Sequence, residues 1–236
     1  MPDLTWQTKV LIVVVAVIVL GLGLGLGLGL GLKGKGGGGE PEAYYMATGN
    51  NSADTKTIIW SQNGISWNEI SSEGASFSGK GRFVAYYPSM RIWLATGVHT
   101  GETTSTILWS DNGKKWNRTV KGGFSAGVDA PNGGYSIAFD DTNQIWYATG
   151  GASTPISTIL WSGDGKSWNP IDSGGFTSHG LNIYYDHNAR TLLATGVDSD
   201  SSKTIQFSTD GKNWASGVGN NTFSTSGGIY VTGKNA

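Results

Sequence analysis

A ten-residue segment that recurs four times constrains the fold of this chain more than any other feature. We call its shared pattern, Ser-x-Asp/Asn-Gly-x-x-Trp, the repeat motif. The copies are IIWSQNGISW at 58–67, ILWSDNGKKW at 107–116, ILWSGDGKSW at 159–168 and IQFSTDGKNW at 205–214. The closing tryptophans of successive copies are 49, 52 and 46 residues apart. A nearly constant period of this length is typical of arrays built from one structural unit.

Two further markers accompany each copy in a constant order. An Ala-Thr-Gly sequence precedes the repeat motif and ends at Gly49, Gly97, Gly150 and Gly196. A loop with a phenylalanine follows the motif, at Phe77, Phe124, Phe176 and Phe223. Three markers in the same order in four copies are not expected by chance. The repeat is therefore the main evidence for the fold.

Each unit contains four short apolar or aromatic runs separated by Gly, Asn, Asp and Ser, as strands and turns are. The first run, here called the inner strand, follows the phenylalanine loop. The second ends in Ala-Thr-Gly, the third leads into the repeat motif, and the fourth begins at the motif's tryptophan. Four-strand units with a period of about 50 residues are typical of β-propeller blades. We therefore predict that residues 43–236 form an all-β domain, a four-bladed β-propeller. Its sixteen strands should span residues 43–234.

The two ends of the repeat region complement each other. The first unit begins at YYMATG and lacks an inner strand, whereas GGIYVTG at 227–233 is a surplus strand at the C-terminus. Counted from the loop phenylalanine, Tyr230 takes the place of Val84 and Ile183, which are inner-strand positions. We expect the C-terminal strand to complete the first blade and close the ring. The alternative is closure by a second chain, which would give an eight-bladed dimer.

The residue types of the repeat motif suit a tight turn. An Asp or Asn side chain can accept hydrogen bonds from backbone amides nearby, and the glycine after it can take a positive φ. The serine can tie the turn to the backbone, and the tryptophans offer apolar faces for packing between blades. With one or two Asx groups in each copy, calcium is the weaker alternative, and we predict no metal. The residues predicted to act structurally are Ser61, Asn63, Gly64, Trp67, Ser110, Asn112, Gly113, Trp116, Ser162, Asp164, Gly165, Trp168, Ser208, Asp210, Gly211 and Trp214.

The repeat motif resembles a shortened Asp-box, or BNR repeat, of the sialidase-like β-propeller superfamily. The usual pattern has one residue between Asp and Gly, whereas the two are adjacent here, as in Asn112-Gly113 and Asp210-Gly211. The resemblance implies a propeller. For a true sialidase it also implies three arginines that hold a substrate carboxylate, a Tyr–Glu nucleophile pair and an Asp acid/base.

The arginines of this chain do not match that set. There are four in all, Arg82, Arg91, Arg118 and Arg190. Arg91 and Arg190 occupy the same position in two repeats, just before the second strand, so they follow the repeat rather than converge on one site. No Arg-Ile-Pro segment opens the propeller. We predict a non-enzymatic protein without catalytic residues, and a sialidase-like glycoside hydrolase is the alternative.

Loops that lead into inner strands and loops that follow Ala-Thr-Gly should share one rim of a propeller, where loops carry function. We call their charged and histidine residues the polar rim and predict that it binds a protein or a glycan. Solvated loop tips without a ligand are the alternative. Asp129 lies in an insertion, VDAPNG at 128–133, that breaks the repeat. The polar rim consists of Asp54, Lys80, His99, Glu102, Asp129, His179, Asp198 and Asp200.

The N-terminal part differs from everything after it. Residues 10–32 are 23 consecutive positions without a charge, a valine-rich run followed by Gly-Leu repeats. A helix of that length reaches roughly 34 Å, which exceeds a bilayer core of about 30 Å. We predict an N-terminal tail at 1–9, one transmembrane helix at 10–32 and a flexible linker at 33–42. A cleavable signal peptide and a Gly-Leu linker are the alternatives.

The predicted helix also bears on assembly and orientation. Gly21, Gly25 and Gly29 form a small-xxx-small face through which the chain could form a homo-oligomer. Lys33 and Lys35, after the helix, slightly favour a cytoplasmic propeller, whereas Asn-x-Ser/Thr sequons such as that at Asn117 favour an extracytoplasmic one, which we predict.

Composition excludes several classes of function. The formal net charge is −1, and no basic stripe exists to recruit nucleic acid. The chain has no cysteine and its three histidines lack ligand spacing, so we predict no cofactor. Shortened repeats of this kind are similar to ones in proteins of large DNA viruses and some bacteria. The leading hypothesis is a membrane-anchored binding module on a cell or virion surface, and a purely structural virion component is another alternative.

Overall fold

The computed structural model describes residues 45–50, 57–127, 132–152, 157–217, 223–224 and 227–233. The predicted tail, membrane helix and linker at 1–42 lie outside this part of the chain. Within it, no helix has the length and apolar character needed to cross a bilayer.

The described residues form four antiparallel sheets, and each sheet is a meander of strands in sequence order. Two single-turn 3-10 helices, Thr103–Ser105 and Ser201–Lys203, are the helical elements of this region. The all-β, propeller-like arrangement of the prediction is therefore confirmed. The strands are β1 (Tyr45–Thr48), β2 (Ile58–Ser61) and β3 (Asn68–Glu69) in the first sheet; β4 (Gly81–Tyr87), β5 (Ile92–Gly97), β6 (Ile107–Ser110) and β7 (Asn117–Arg118) in the second; β8 (Gly134–Asp140), β9 (Ile145–Gly150), β10 (Ile159–Ser162) and β11 (Asn169–Pro170) in the third; and β12 (His179–Asp186), β13 (Thr191–Val197), β14 (Ile205–Ser208) and β15 (Ala215–Ser216) in the fourth.

The core lies between successive sheets because the second strand of a unit is apolar on both faces. Alternate side chains of a strand point to opposite faces. In β5, Trp93 and Ala95 pack in a cluster with Ile58 of the first sheet. Leu94, between them, packs in the cluster shared with the third sheet. The sheets therefore stack face to face in chain order, as propeller blades do.

The tryptophan of the repeat motif fills each junction between sheets. Trp116, Trp168 and Trp214 are buried, and each packs against the sheet that precedes its own. A glycine at the start of the inner strand makes the close approach possible. A Cβ added at Gly134 would lie 2.8 Å from Thr96 Cβ of the preceding sheet, so only glycine fits there.

The predicted closing strand is not formed among the described residues. Among the strands that the structure describes, β1 pairs with β2 alone and residues 227–233 join no ladder, so this part of the chain has fifteen strands where sixteen are expected. The C-terminal segment lies on the fourth sheet instead, where the Val231 amide donates to Asn182 Oδ1 at 3.1 Å.

The inner-strand position of the C-terminal segment is also shifted by one residue from the prediction. Gly227, at φ +83°, abuts the Gly196 carbonyl as Gly133, at φ +85°, abuts the Gly97 carbonyl. This match places Val231, and not Tyr230, at the position of Ile183. The reason is that the loop from Phe223 to the inner-strand glycine is one residue longer than in the second and fourth sheets.

Candidate functional site

The loops of the polar rim lie at one end of the sheets because neighbouring strands are antiparallel. Each inner strand begins where the second strand ends: Gly81 pairs with Gly97, and Gly180 pairs with Gly196. The repeat-motif turns connect the third and fourth strands of each sheet, so they lie at the opposite end.

Three side chains from three successive inner strands stack on one another at the rim end. The Arg82 guanidinium lies 3.6 Å from the centroid of the Tyr135 ring. The Tyr135 and His179 rings are 5.3 Å apart between centroids and inclined by 24°. We call this group the Arg–Tyr–His stack. It bridges the second, third and fourth sheets, and all three side chains are half-buried.

Hydrogen bonds hold both ends of the stack. Arg82 Nη1 donates to the carbonyl oxygen of Asn132 at 2.7 Å. At the other end, His179 Nδ1 and Ser178 Oγ are 2.9 Å apart. The stacked groups are thus held in place by the loop before β8 and by the residue that precedes β12.

The stack carries one positive charge at neutral pH. Burial lowers the pKa of His179 below its ordinary value of 6.5, and the charge of Arg82 lowers that pKa further. Burial also raises the pKa of Tyr135 above its ordinary value of 10.0, although Arg82 opposes this. His179 and Tyr135 are therefore neutral at pH 7, and Arg82, like arginines generally, stays charged.

His99 and Glu102 organise the loop after β5. His99 Nδ1 accepts the backbone amides of Gly101 and Glu102, each at 3.2 Å, which places its ring proton on Nε2. Burial and the charge of Arg118 lower the pKa of His99, while Glu102 raises it. The Glu102 carboxylate is paired with Arg118 and is about half exposed.

Asp198 is buried and bonded to the backbone. Its Oδ2 accepts the Thr177 amide and its Oδ1 accepts the Asp200 amide, both at 2.9 Å. It joins the loop before β12 to the loop after β13. Asp200 is exposed, and Lys203 Nζ lies 3.8 Å from its carboxylate.

The described members of the predicted polar rim lie in separate groups rather than in one cluster. His179 belongs to the stack, whereas His99, Glu102, Asp198 and Asp200 organise their own loops. Lys80 is half-buried, and its carbonyl oxygen accepts the Val98 amide at 2.7 Å. Asp54 and Asp129 lie outside the described residues.

Arg82 and Tyr135 were missed by sequence reasoning. The signal that could have found them is positional, since each directly follows the glycine that begins an inner strand, Gly81 or Gly134. A charged and an aromatic residue at the same register of neighbouring units are expected to meet.

The repeat motif has the same turn in all four copies. The glycine amide donates to the serine hydroxyl oxygen at 2.8 to 2.9 Å, and one Asx oxygen accepts two amides at 2.7 to 2.9 Å. The motif glycines have φ of +70° or +71°. Across the described ranges, no group of three or more His, Cys, Asp or Glu side chains could hold a metal ion.

Comparisons with known proteins give no family for the chain. No protein-family model matches it, and no curated protein sequence matches it. Among solved structures, the crystal structure of a nidogen/laminin complex contains a similar chain, with a TM-score of 0.43 and 13% sequence identity. The match covers 67% of this chain and 58% of that one. The fold assignment rests on the repeat and on the four sheets.

Proposed function

We propose that the chain is a membrane-anchored, non-enzymatic binding module of a cell or virion surface, and that its Arg–Tyr–His stack receives a protein or glycan carrying a carboxylate. The stack is the observation that carries the proposal. It presents a guanidinium, which can donate charge-assisted hydrogen bonds to a carboxylate, beside neutral aromatic rings. These groups lie at the rim end of three neighbouring inner strands. Within this proposal the repeat motif is a shortened Asp-box that folds the blades at the opposite end.

The carboxylates of the rim support binding rather than hydrolysis. Most glycoside hydrolases need two carboxyl groups that flank the scissile bond. Glu102 is paired with Arg118, Asp198 accepts two backbone amides, and Asp200 lies beside Lys203. Each of these described carboxylates already has a role in holding its own loop.

The proposal is tested on a glycan array that contains sialylated, uronic-acid and neutral glycans, together with acidic peptides, probed with the full chain in detergent. We expect retention of the acidic probes, weakened about 10- to 150-fold by Arg82→Gln because a charge-assisted hydrogen bond is lost. Arg190→Gln is the matched control, since Arg190 lies in a hairpin turn at the opposite end and Gln144 takes that position in the third sheet, at φ +57°.

Two results would contradict the proposal. Binding that is unchanged in Arg82→Gln would mean that the ligand does not bind at the Arg–Tyr–His stack. Release of sugar from fluorogenic glycosides by the wild-type chain would identify an enzyme and favour the sialidase-like alternative.

A further inference from the structure

Within the described part of the chain, two faces of the row of sheets lack the neighbour that every internal face has. The front face is the side of the first sheet that would meet a preceding sheet. The back face is the outer side of the fourth sheet together with the C-terminal segment. Nine large hydrophobic side chains of the described residues are exposed, and seven of them lie on these two faces. The seven are Tyr45, Ile65, Trp67, Phe207, Phe223, Ile229 and Tyr230.

The front face exposes residues that are buried in every other unit. Trp67 is 42% exposed, whereas its counterparts Trp116, Trp168 and Trp214 are 1%, 1% and 7% exposed. Tyr45 is 56% exposed, whereas Trp93 at the same position of the second sheet is buried. Both side chains point to where a preceding sheet would pack.

The back face shows the complementary pattern. The Phe223 amide donates to Thr204 Oγ1 at 3.2 Å, as the Phe176 amide donates to Thr158 Oγ1 at 2.7 Å. The loop is thus anchored as in the other units. Yet Phe223 is 46% exposed, whereas Phe176 is buried. What Phe223 lacks is the next sheet.

A contact that recurs at every internal junction is changed at both outer faces. At each internal junction a lysine of one repeat motif lies over a tryptophan of the preceding sheet: Lys114 over Trp60 at 4.6 Å, Lys166 over Trp109 at 4.1 Å and Lys212 over Trp161 at 5.0 Å. The front face has Ile65 in place of the lysine, and the back face has Phe207 in place of the tryptophan. The cation and the indole have both been replaced by apolar side chains, Ile65 and Phe207, which would suit each other if the two faces met.

The backbones of β1 and of the C-terminal segment could also pair with each other as neighbouring strands. β1 has a free pairing edge among the described strands, and the C-terminal segment already lies at the inner-strand position against the fourth sheet. In the second sheet Phe83 pairs with Thr96, and Val84 pairs with Ala95. The same register sets Tyr230 opposite Thr48 and Val231 opposite Ala47.

We propose that the back face of one copy packs on the front face of a second copy, so that two copies close one ring of eight sheets. The described ends of a single chain do not pair with each other. Propellers typically have four to eight blades, so two copies give a ring within that range and three copies do not. Because the faces differ, the contact forms twice about a two-fold axis and leaves no free edge.

Cysteine crosslinking tests the register directly, because the chain has no cysteine of its own. Ala47→Cys chains and Val231→Cys chains of different tagged mass are mixed in detergent and oxidised. We expect a mixed disulfide between the two chains, and a covalent dimer from the double variant. Tyr230→Cys with Ala47→Cys is the matched control, since residue 230 faces the opposite side of the strand, and it should crosslink much less.

Three outcomes would overturn the proposal. An internal disulfide in a monomeric double variant would mean that one chain closes its own four-bladed ring. A lack of any disulfide, or equal crosslinking by the control pair, would mean that the faces do not meet in this register.

The mass of the full chain in detergent gives an independent readout. Trp67→Lys should raise the Kd of the dimer by about 30-fold or more, since a central tryptophan of an interface is a typical hot spot. Val120→Lys is the control: Val120 is exposed but lies outside both faces, and this variant should stay dimeric. A dimer that survives Trp67→Lys, as one held by the Gly-rich segment would, contradicts the proposal.

Discussion

A single side-chain oxygen organises each repeat-motif turn. Asn63 and Asn112 do this without charge, whereas Asp164 and Asp210 do it as carboxylates, with the same two backbone amides as donors. The turn therefore needs the oxygen and not the charge. This chemistry is local in sequence, which is why the residues alone predict it.

The carboxylate charge of Asp210 should instead make the stability of the protein depend on pH. The side chain of Asn213 and the amides of Asn213 and Lys212 donate to Asp210 and hold its pKa well below the ordinary value of 3.8. A lowered folded-state pKa gives a stabilisation that is complete above the unfolded pKa and is lost as the pH falls through the folded one. We expect Asp210→Asn to lessen the fall in the urea midpoint between pH 6 and pH 3, with the fold retained. Asn112→Asp is the reciprocal control and should steepen that fall. An unchanged pH dependence in both variants would contradict this assignment.

At the scale of the element, sequence predicts what repeats and misses what depends on curvature. The strands follow from apolar runs and turn residues, and the junctions follow from the tryptophans. The repeat register places Arg82 and Tyr135 at equivalent positions of neighbouring units, but whether their side chains stack depends on the angle between the sheets, which the sequence pattern does not give. Asp198 is similar: its loop sequence is polar, but the loop folds back onto the Thr177 amide and buries the carboxylate.

The contribution of a repeat-motif tryptophan to the free energy of unfolding should depend on whether a preceding sheet covers it. Trp168 is buried between the second and third sheets, and its Nε1 donates to the Gly165 carbonyl at 3.2 Å. Trp168→Ala should lower the free energy of unfolding by about 3–5 kcal/mol, measured by urea titration of dilute protein. Trp67→Ala, at the same position of the first sheet, should cost far less under these conditions. Equal losses would mean that a neighbour covers Trp67 in dilute protein as well.

At the scale of the whole molecule, each sheet is stabilised by packing against its neighbours in the row. Each of the two middle sheets packs against neighbours on both sides, while the first and fourth sheets each have one neighbour among the described residues. In such a row stability is nearly a sum of unit and junction contributions, so the end sheets are the weakest. A second copy would convert both ends into junctions of the internal kind.

The predicted membrane segment would place this proposed assembly at a bilayer. Residues 10–32 lie outside the described part of the chain and contain no charge. We expect the intact chain to stay in the membrane pellet after alkaline carbonate extraction and to dissolve in detergent. Ile18→Arg with Leu22→Arg places two charges near the centre of the segment, each costing about 2.5–3.5 kcal/mol on insertion scales, and should move the chain to the soluble fraction. Ile18→Leu with Leu22→Ile is the apolar control and should remain in the pellet. A wild-type chain that carbonate extracts would exclude the anchor, and an N-terminus that begins beyond residue 20 would identify a cleaved signal peptide instead.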